Sequence, residues 1–186
     1  MPKTVAPDRV KALAATLSAC LPQEGVISSP LADVAFMRVD HDRGLTSVFE
    51  EPSIVLAFQG VKRGHLGDEV LSYGAGQGLV VSLPISFRCD TVAPQPDRPM
   101  LAVQVRIDFE VVRDLVARMV EAGMQAPSPG AARAMAVLDL DGDLLGLAER
   151  LLATLSSRLD AAVLGPALLR ELHYRILLSP AGGWSA

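Results

Sequence analysis

The hydrophobic positions of the chain change their period twice along its length. Near the N-terminus, apolar residues recur every three or four positions from Val10 to Leu21, which is typical of an amphipathic helix. From residue 24 to residue 107 short apolar runs are separated by glycine, proline, aspartate and serine, and several of these runs follow a period of two. After residue 107 the helical period returns. The pattern therefore predicts an N-terminal helix within 1–23, a β-domain over 24–107 and a helical region over 108–186.

The first helix has predicted boundaries of its own. Asp8 is expected to cap it, because a carboxylate can accept hydrogen bonds from the free N–H groups of the first turn. Pro22 is expected to end it, since proline lacks an N–H group.

The β-domain is predicted to consist of short antiparallel strands, each with one buried face. The runs 54–58 and 101–107 place apolar residues at every second position. The glycine-containing stretches 60–67 and 74–78 separate such runs and are interpreted as turns. Many short strands with this spacing favour a small barrel or sandwich.

Three helices are predicted after residue 107. Asp108 is expected to cap the first, which ends near Gly123. The leucine-rich segment 141–160 forms the second. The third is expected to start at Gly165 and Pro166, since proline is favoured at the first helical position. The segment 124–134, rich in proline, glycine and alanine, is interpreted as a mobile loop.

Composition narrows the possible functions. Hydrophobic residues make up 50% of the 186 residues and charged residues 20%, which excludes a disordered chain. The net charge of −4 and the 4% of aromatic residues argue against direct binding of DNA or RNA. The two cysteines are far apart, and no signal peptide or membrane-spanning segment is evident. We therefore expect a cytoplasmic protein that has no membrane partner.

The sequence offers few residues for catalysis or metal binding. His41, His65 and His173 are scattered, so no metal site and no cofactor are predicted, and His173 is expected at a surface or interface. The aspartates of 139–143 fail the spacing of a calcium loop and fit the start of a helix better. Cys89 is interpreted as a buried thiol of the core. No catalytic residue is predicted.

Two groups of short motifs resemble the N-terminal domain of AraC-type transcriptional regulators. The first group lies within 51–87 and the second within 164–182. Each motif is short, but their order and spacing together make the resemblance specific. The matching residues are Pro52-Ser53, Gln59-Gly60, Lys62, Leu66-Gly67, Tyr73, Gly78, Ser82-Leu83-Pro84, Leu164-Gly165-Pro166, Leu169 to Leu172, Tyr174 to Leu177, Pro180 and Gly182.

The resemblance implies an α+β, mainly β fold: a cupin-like antiparallel β-barrel with an N-terminal helix and a C-terminal helical tail. It also implies a domain that senses a small-molecule effector and forms a homodimer. In such regulators two helix-turn-helix units follow and bind DNA. The sequence ends at Ala186, where the linker to those units would begin. We therefore expect contact with DNA only through a C-terminal half that is absent from this chain, whether by removal or because the domain stands alone.

Ligand-binding residues are predicted on strands near the matching motifs. Parity along the strands places Phe58 and Phe87 inward, whereas Gln59 and Gln104 point outward unless a bulge intervenes. Lys62 is either a contact for an anionic effector or a solvated hairpin lysine. The predicted set is Phe36, Arg38, Phe58, Gln59, Lys62, Tyr73, Phe87 and Cys89, with Gln104 as a further candidate.

An alternative hypothesis is a small cupin-type metalloenzyme that uses a metal or Cys89. Cupin enzymes hold their metal with an HxH pair, a glutamate and a third histidine. Here Gly60 is followed by the single histidine His65 and the sequence contains no HxH, so the resemblance favours a binding domain. Metal analysis of the purified chain distinguishes the two.

The leucine-rich helices of the tail have two possible roles. They could pack on the β-domain alone, or one of them could also pair with a second chain in the homodimer. Leu151 and Leu155 are the positions at which substitution by a charged residue is expected to test that pairing.

Overall fold

The computed structural model describes residues 6–125 and 133–182 of the chain. These residues form helices at both ends and a set of antiparallel strands between them. The elements are α1 (Pro7–Cys20), β1 (Gly25–Ser28), β2 (Val34–Val39), β3 (Thr46–Glu50), β4 (Ser53–Gln59), β5 (Val61–Leu66), β6 (Glu69–Gly74), β7 (Gln77–Val81), β8 (Ile85–Thr91), β9 (Met100–Arg106), α2 (Phe109–Glu121), β10 (Met135–Asp139), α3 (Gly142–Thr154) and α4 (Arg158–Leu178).

Two antiparallel sheets face each other. One has six strands in the order β1-β2-β9-β4-β7-β10, and the other has four in the order β3-β8-β5-β6. A buried cluster between them joins Met37, Val55 and Leu79 of the larger sheet to Tyr73 of the smaller one. The predicted α+β, mainly β, cupin-like class is confirmed, although the sheets do not close into a continuous barrel. In the described residues β1 and β3 pair with one neighbour each and so form open edges.

The central strands of the larger sheet are buried on both faces. Ile54, Leu56 and Phe58 of β4 belong to the cluster formed with the helices. Val55 and Ala57 of the same strand belong to the cluster between the sheets. The prediction of one buried face is therefore wrong for β4 and β9. Helices α1 and α3 cover the second face, and alternation is lost where both faces of a strand are packed.

Local signals set the starts of two helices. The Asp108 carboxylate accepts hydrogen bonds from the N–H groups of Glu110 and Val111. Asp141 caps α3 in the same way. The cap at Asp108 was predicted, and the aspartates of 139–143 were predicted to lie at the start of a helix. For α1 the predicted cap is wrong: the helix begins at Pro7 after Ala6, and Asp8 lies within its first turn.

The boundary between the last two helices differs from the prediction. Helix α3 ends at Thr154, and α4 begins at Arg158. The Ser157 hydroxyl caps α4 by accepting a hydrogen bond from the N–H group of Asp160. Pro166 therefore lies inside α4 instead of starting it. The serine cap starts the helix earlier, and an exposed proline can be accommodated in one turn at the loss of one backbone hydrogen bond.

Two strands were missed because glycine and proline surround them. Residues 61–66 form β5, and the turns lie at Gly60 and Gly67, whose φ angles are +79° and +59°. Residues 135–139 form β10, which pairs with β7, so the region 108–186 is not entirely helical. Most of the predicted loop at 124–134 lies outside the described residues.

The helices form a layer on the larger sheet. Leu13 and Leu17 of α1 and Leu145 and Leu151 of α3 are buried in one cluster with β4 and β9. At the surface, Nε and an Nη atom of the Arg9 guanidinium donate to the two carboxylate oxygens of Glu149 at 2.7 and 2.8 Å.

Candidate functional site

A slot between the two sheets opens along the free edges β1 and β3. We call this space the inter-sheet slot. One end is a cavity of about 310 Å³ and the other a cavity of about 400 Å³. A narrow cavity of about 20 Å³ lies between them; its lining shares Met37, Lys62 and Cys89 with the first and Glu50 with the second. The narrow part has room for about one water molecule.

Lys62 is held at one end of the narrow cavity by β5. The strand pairs it with Tyr73 on one side and Thr91 on the other. The ammonium Nζ lies 3.9 Å from the thioether Sδ of Met37, which is a weak acceptor. No ion pair of Lys62 occurs among residues 6–125 and 133–182. The slot therefore presents a cation whose hydrogen-bonding capacity is largely unused.

Glu50 lies at the other end of the narrow cavity, at the end of β3. Its Oε1 atom accepts a hydrogen bond from the Ser53 hydroxyl at 3.0 Å and another from the Gln104 side-chain amide. These two donors hold the carboxylate in place at the edge of the slot.

Tyr73 of β6 also lines the narrow cavity. Its side chain is only 3% exposed. Burial raises the pKa of the phenol well above its ordinary value, and the nearby Cys89 and Glu50 act in the same direction. The hydroxyl therefore stays neutral and can both donate and accept hydrogen bonds in the slot.

Arg38 lines the mouth of the slot, but its donors are already engaged. Nε donates to Asp40 at 2.6 Å, and the two Nη atoms donate to the carbonyl oxygens of Leu21 and Pro96 at 2.9 and 3.0 Å. The guanidinium thus ties the end of α1 to the loop before β9. Its first role is to hold the wall of the slot together.

Cys89 and Phe87 extend from β8 into the slot. Both line the narrow cavity, and Cys89 is buried. The facing residue on β5 is Gly64, where an added Cβ would lie 3.3 Å from the Phe87 ring. The glycine leaves room for the phenyl ring to lie across the slot floor.

The outer face of the smaller sheet carries a separate polar group. Nε2 of His65 lies 2.6 Å from Oδ1 of Asp90, and Nε of Arg63 donates to Oδ2 of Asp90 at 2.9 Å. Hydrogen bonds from Arg63 and then His65 lower the pKa of Asp90. Within the described part of the chain, no group of three or more His, Cys, Asp or Glu side chains is arranged to hold a metal.

A family comparison identifies the kind of domain. The model of the AraC-type transcriptional regulator N-terminus matches residues 30–184. The chain belongs to this family. The resemblance deduced from the short motifs is thereby confirmed. A search among curated protein sequences finds no match.

The AraC-type domain also resembles solved structures of ToxT from Vibrio cholerae. An apo form of ToxT aligns with a TM-score of 0.58 and 8% identity, over 81% of this chain and 58% of that one. ToxT bound to an unsaturated fatty acid aligns with a TM-score of 0.52 and 10% identity, over 83% and 55%. The AraC-type domain thus spans little more than half the length of these ToxT chains. At these identities the likeness shows a common fold.

The residues predicted to bind a ligand separate into two groups in the AraC-type domain. Five of the eight line the inter-sheet slot or its mouth: Arg38, Lys62, Tyr73, Phe87 and Cys89. The other three, Phe36, Phe58 and Gln59, do not. Phe36 and Phe58 belong to the cluster with the helices, because the face predicted to point inward is the face that the helices cover.

Gln59 lies beyond a bulge in β4 and points toward α1. Its amide donates to the carbonyl oxygen of Pro99 at 2.9 Å. With Phe58 it lines a groove of about 500 Å³ beside α1. Gln104 was predicted to point outward, but its amide bonds Glu50 at the slot. Sequence reasoning missed Glu50, because no local pattern marks it.

Within residues 6–125 and 133–182, each helix is too short or too polar to span a membrane.

His173 was expected at a surface or interface, but it is buried with 3% exposure. Its ring lies where α4 meets the start of α2, and both ring nitrogens have hydrogen-bonding partners.

Proposed function

We propose that this chain is the effector-sensing and dimerisation domain of an AraC-type transcriptional regulator. The observation that carries the proposal is the inter-sheet slot of a domain that belongs to this family. The slot combines apolar walls with a few polar groups, which is the usual composition of a small-molecule site. In this proposal an effector binds between the sheets, with Lys62, Tyr73, Phe87 and Cys89 among its contacts.

The effector that fits this slot carries a negative charge. Lys62 points into the slot and lacks a carboxylate partner in the described residues, so an anionic group would supply its missing partner. ToxT, which has the same fold, has been solved with an unsaturated fatty acid bound. That ligand is a carboxylic acid, which supports an anionic effector here. Arg38 would shape the mouth of the slot through its existing hydrogen bonds.

The proposed dimer forms through the exposed side of α4. Leu159 and Val163 are 71% and 66% exposed and lie one turn apart on this helix, and Leu164 is half exposed. Exposed apolar residues grouped on one helix are typical of an interaction surface. Leu151 and Leu155, the positions named from the sequence, are buried against the sheet and cannot contact a partner. DNA would be bound by a separate C-terminal half.

The effector would act on DNA binding by shifting a conformational equilibrium. A ligand favours whichever state it binds more tightly. Strands β4 and β9 contact the inter-sheet cluster on one face and the helical layer on the other, so a change in the slot reaches α3 and α4 through them. No observation in the described residues favours the metalloenzyme over this function.

Native mass spectrometry of the purified chain, with metal analysis of the same sample, tests the proposal. We expect a metal-free dimer that retains a small acidic molecule, and we expect Lys62→Met to lose that molecule while staying folded. Lys11→Met, on the exposed side of α1, is the matched control and should retain it. Stoichiometric metal, or equal retention by Lys62→Met, would contradict the proposal.

A further inference from the structure

Two opposite charges face the same narrow cavity without neutralising each other. Lys62 and Glu50 both line it, yet neither forms an ion pair with any residue of 6–125 or 133–182. Arg38, which is also half-buried, is by contrast paired with Asp40. A charge that is partly withdrawn from water is costly unless a partner compensates it. Each end of the narrow cavity therefore holds a charged group that lacks an oppositely charged partner.

The two charged groups need different hydrogen-bonding partners. Lys62 has only the thioether of Met37 nearby and can donate further hydrogen bonds. Glu50 receives both of its hydrogen bonds at Oε1, and no donor among the described residues bonds its Oε2 atom. A ligand that satisfies both must accept hydrogen bonds at one end and donate them at the other.

The strands set the distance between the two ends. Met37, which contacts Lys62, lies opposite Ala102 of β9, and Gln104, which bonds Glu50, lies two residues farther along the same strand. Two residues of a strand span roughly 7 Å. The cavity walls between the two charged groups include Val55, Leu79 and Phe87, so the middle of the ligand meets apolar surface.

We propose that the inter-sheet slot recognises a short-chain carboxylic acid that carries a hydrogen-bond donor, a hydroxyl or ammonium group, at its far end. This inference rests on the proposed function and specifies the ligand class of the same site. The carboxylate contacts Lys62 and the donor contacts Oε2 of Glu50. Because the span of roughly 7 Å also contains a hydrogen bond of about 2.8 Å at each end, the ligand is short, with a backbone of about three carbons including the carboxyl carbon. Tyr73 also lines the narrow cavity, and its hydroxyl can donate or accept a hydrogen bond there.

Binding requires a change in the narrow cavity. Its volume of about 20 Å³ is too small for a carbon chain. Met37 is unbranched and flexible, and it separates the narrow cavity from the larger space at the mouth. Rotation of Met37 would join the two spaces and admit the chain of the ligand.

Isothermal titration calorimetry with four three-carbon probes tests the inference. The probes are 3-hydroxypropanoate, 3-aminopropanoate, propanoate and propan-1-ol. We expect either bifunctional acid to bind about tenfold more tightly than propanoate, because it adds one hydrogen bond to a charged group. Propan-1-ol should show no binding. Glu50→Gln should reduce both bifunctional acids to the affinity of propanoate and leave propanoate unchanged.

A carboxylate far from the slot provides the matched control. Glu121→Gln changes an exposed residue at the end of α2 and should leave all affinities as they are. Thermal unfolding of each variant shows whether the fold is intact. Equal binding of propanoate and the bifunctional acids would overturn the inference while leaving an anion-binding sensor in place. Absence of binding by all four probes would overturn it as well. Failure of the proposed function would appear separately, as stoichiometric metal in the purified chain.

Discussion

The Nε2 atom of His173 accepts a hydrogen bond from the backbone N–H group of Asp108 at 3.0 Å. Nδ1 of the same ring lies 2.7 Å from the carbonyl oxygen of Leu169, to which it donates a hydrogen bond. Asp108 is the cap of α2 and follows β9 closely, whereas His173 lies in the second half of α4. One buried side chain thus fastens the exit from the larger sheet to the helix that carries the proposed dimer surface.

Loss of this acceptor should weaken the junction between β9 and α4. We expect His173→Leu to lower the free energy of unfolding by about 1–3 kcal/mol, because the N–H group of Asp108 is left without a partner. His173→Gln retains an acceptor at a similar position and should cost less. Urea denaturation of the three proteins measures both differences. Equal losses for the two variants would show that packing, and not the hydrogen bond, sets the stability of this junction.

Arg38 should contribute more to stability than to ligand affinity. Arg38→Met removes the partner of Asp40 and leaves the carbonyl groups of Leu21 and Pro96 without their donor. We expect a loss of about 2–3 kcal/mol in unfolding free energy, since the pair is largely withdrawn from water. Arg43→Met, at the same mouth but with a 69% exposed side chain, should cost less than about 1 kcal/mol. Similar losses for both would contradict the role assigned to Arg38.

Gly60 should tolerate substitution less well than Gly67. Both have positive φ angles, which cost an alanine about 1–2 kcal/mol. A Cβ atom at Gly60 would also lie 2.8 Å from the Cα atom of Met100, whereas one at Gly67 would have nothing within 4 Å. Thermal unfolding of Gly60→Ala and Gly67→Ala should therefore show the larger fall in Tm for Gly60→Ala. The reverse order would mean that β9 can move away from the turn.

Acid should destabilise the domain through its paired carboxylates. Arg63 and His65 lower the pKa of Asp90 in the folded state, and Arg170 and Arg118 lower that of Asp114. Stabilisation from such groups is present above the unfolded-state pKa of about 4 and is lost as the pH falls through the lower folded-state pKa. The free energy of unfolding should thus decrease below about pH 5, and Asp90→Asn should flatten this decrease. Identical pH profiles for the two proteins would exclude a contribution from Asp90.

The exposed side of α4 should control the oligomeric state. Leu159→Asp combined with Val163→Asp places two charges on the proposed interface and should yield a folded monomer in light scattering at micromolar concentration. Val70→Asp, at an exposed position of β6, is the control and should remain a dimer. A double variant that still dimerises would exclude this face as the interface.

Local interactions of this domain were predictable from its sequence, and interactions between layers were not. The caps at Asp108 and Asp141 depend on N–H groups two or three residues away, so the sequence contains the whole interaction. The orientation of Phe58 depends on where α1 and α3 lie, and no local pattern records that. Alternation identified the strand correctly but assigned its core face to the slot instead of to the helices.

The slot residues divide in the same way. Lys62 and Tyr73 were found because they belong to motifs that resemble the family. Glu50 became a candidate only when the pairing of β3 with β8 placed it at the slot and Gln104 was found to bond it. The partners that give a polar residue its significance come from other strands, so they are visible only in three dimensions.

The burial of β4 and β9 on both faces limits how effector specificity can evolve in this domain. A larger or smaller side chain at Val55 or Ala102 alters the slot, but it also strains or loosens a sheet whose opposite face supports the helices. Residues of the open edges, such as Thr46 on β3 and Val26 on β1, line the mouth without this second constraint. New ligand preferences should therefore arise at the rim of the slot, while its floor changes slowly.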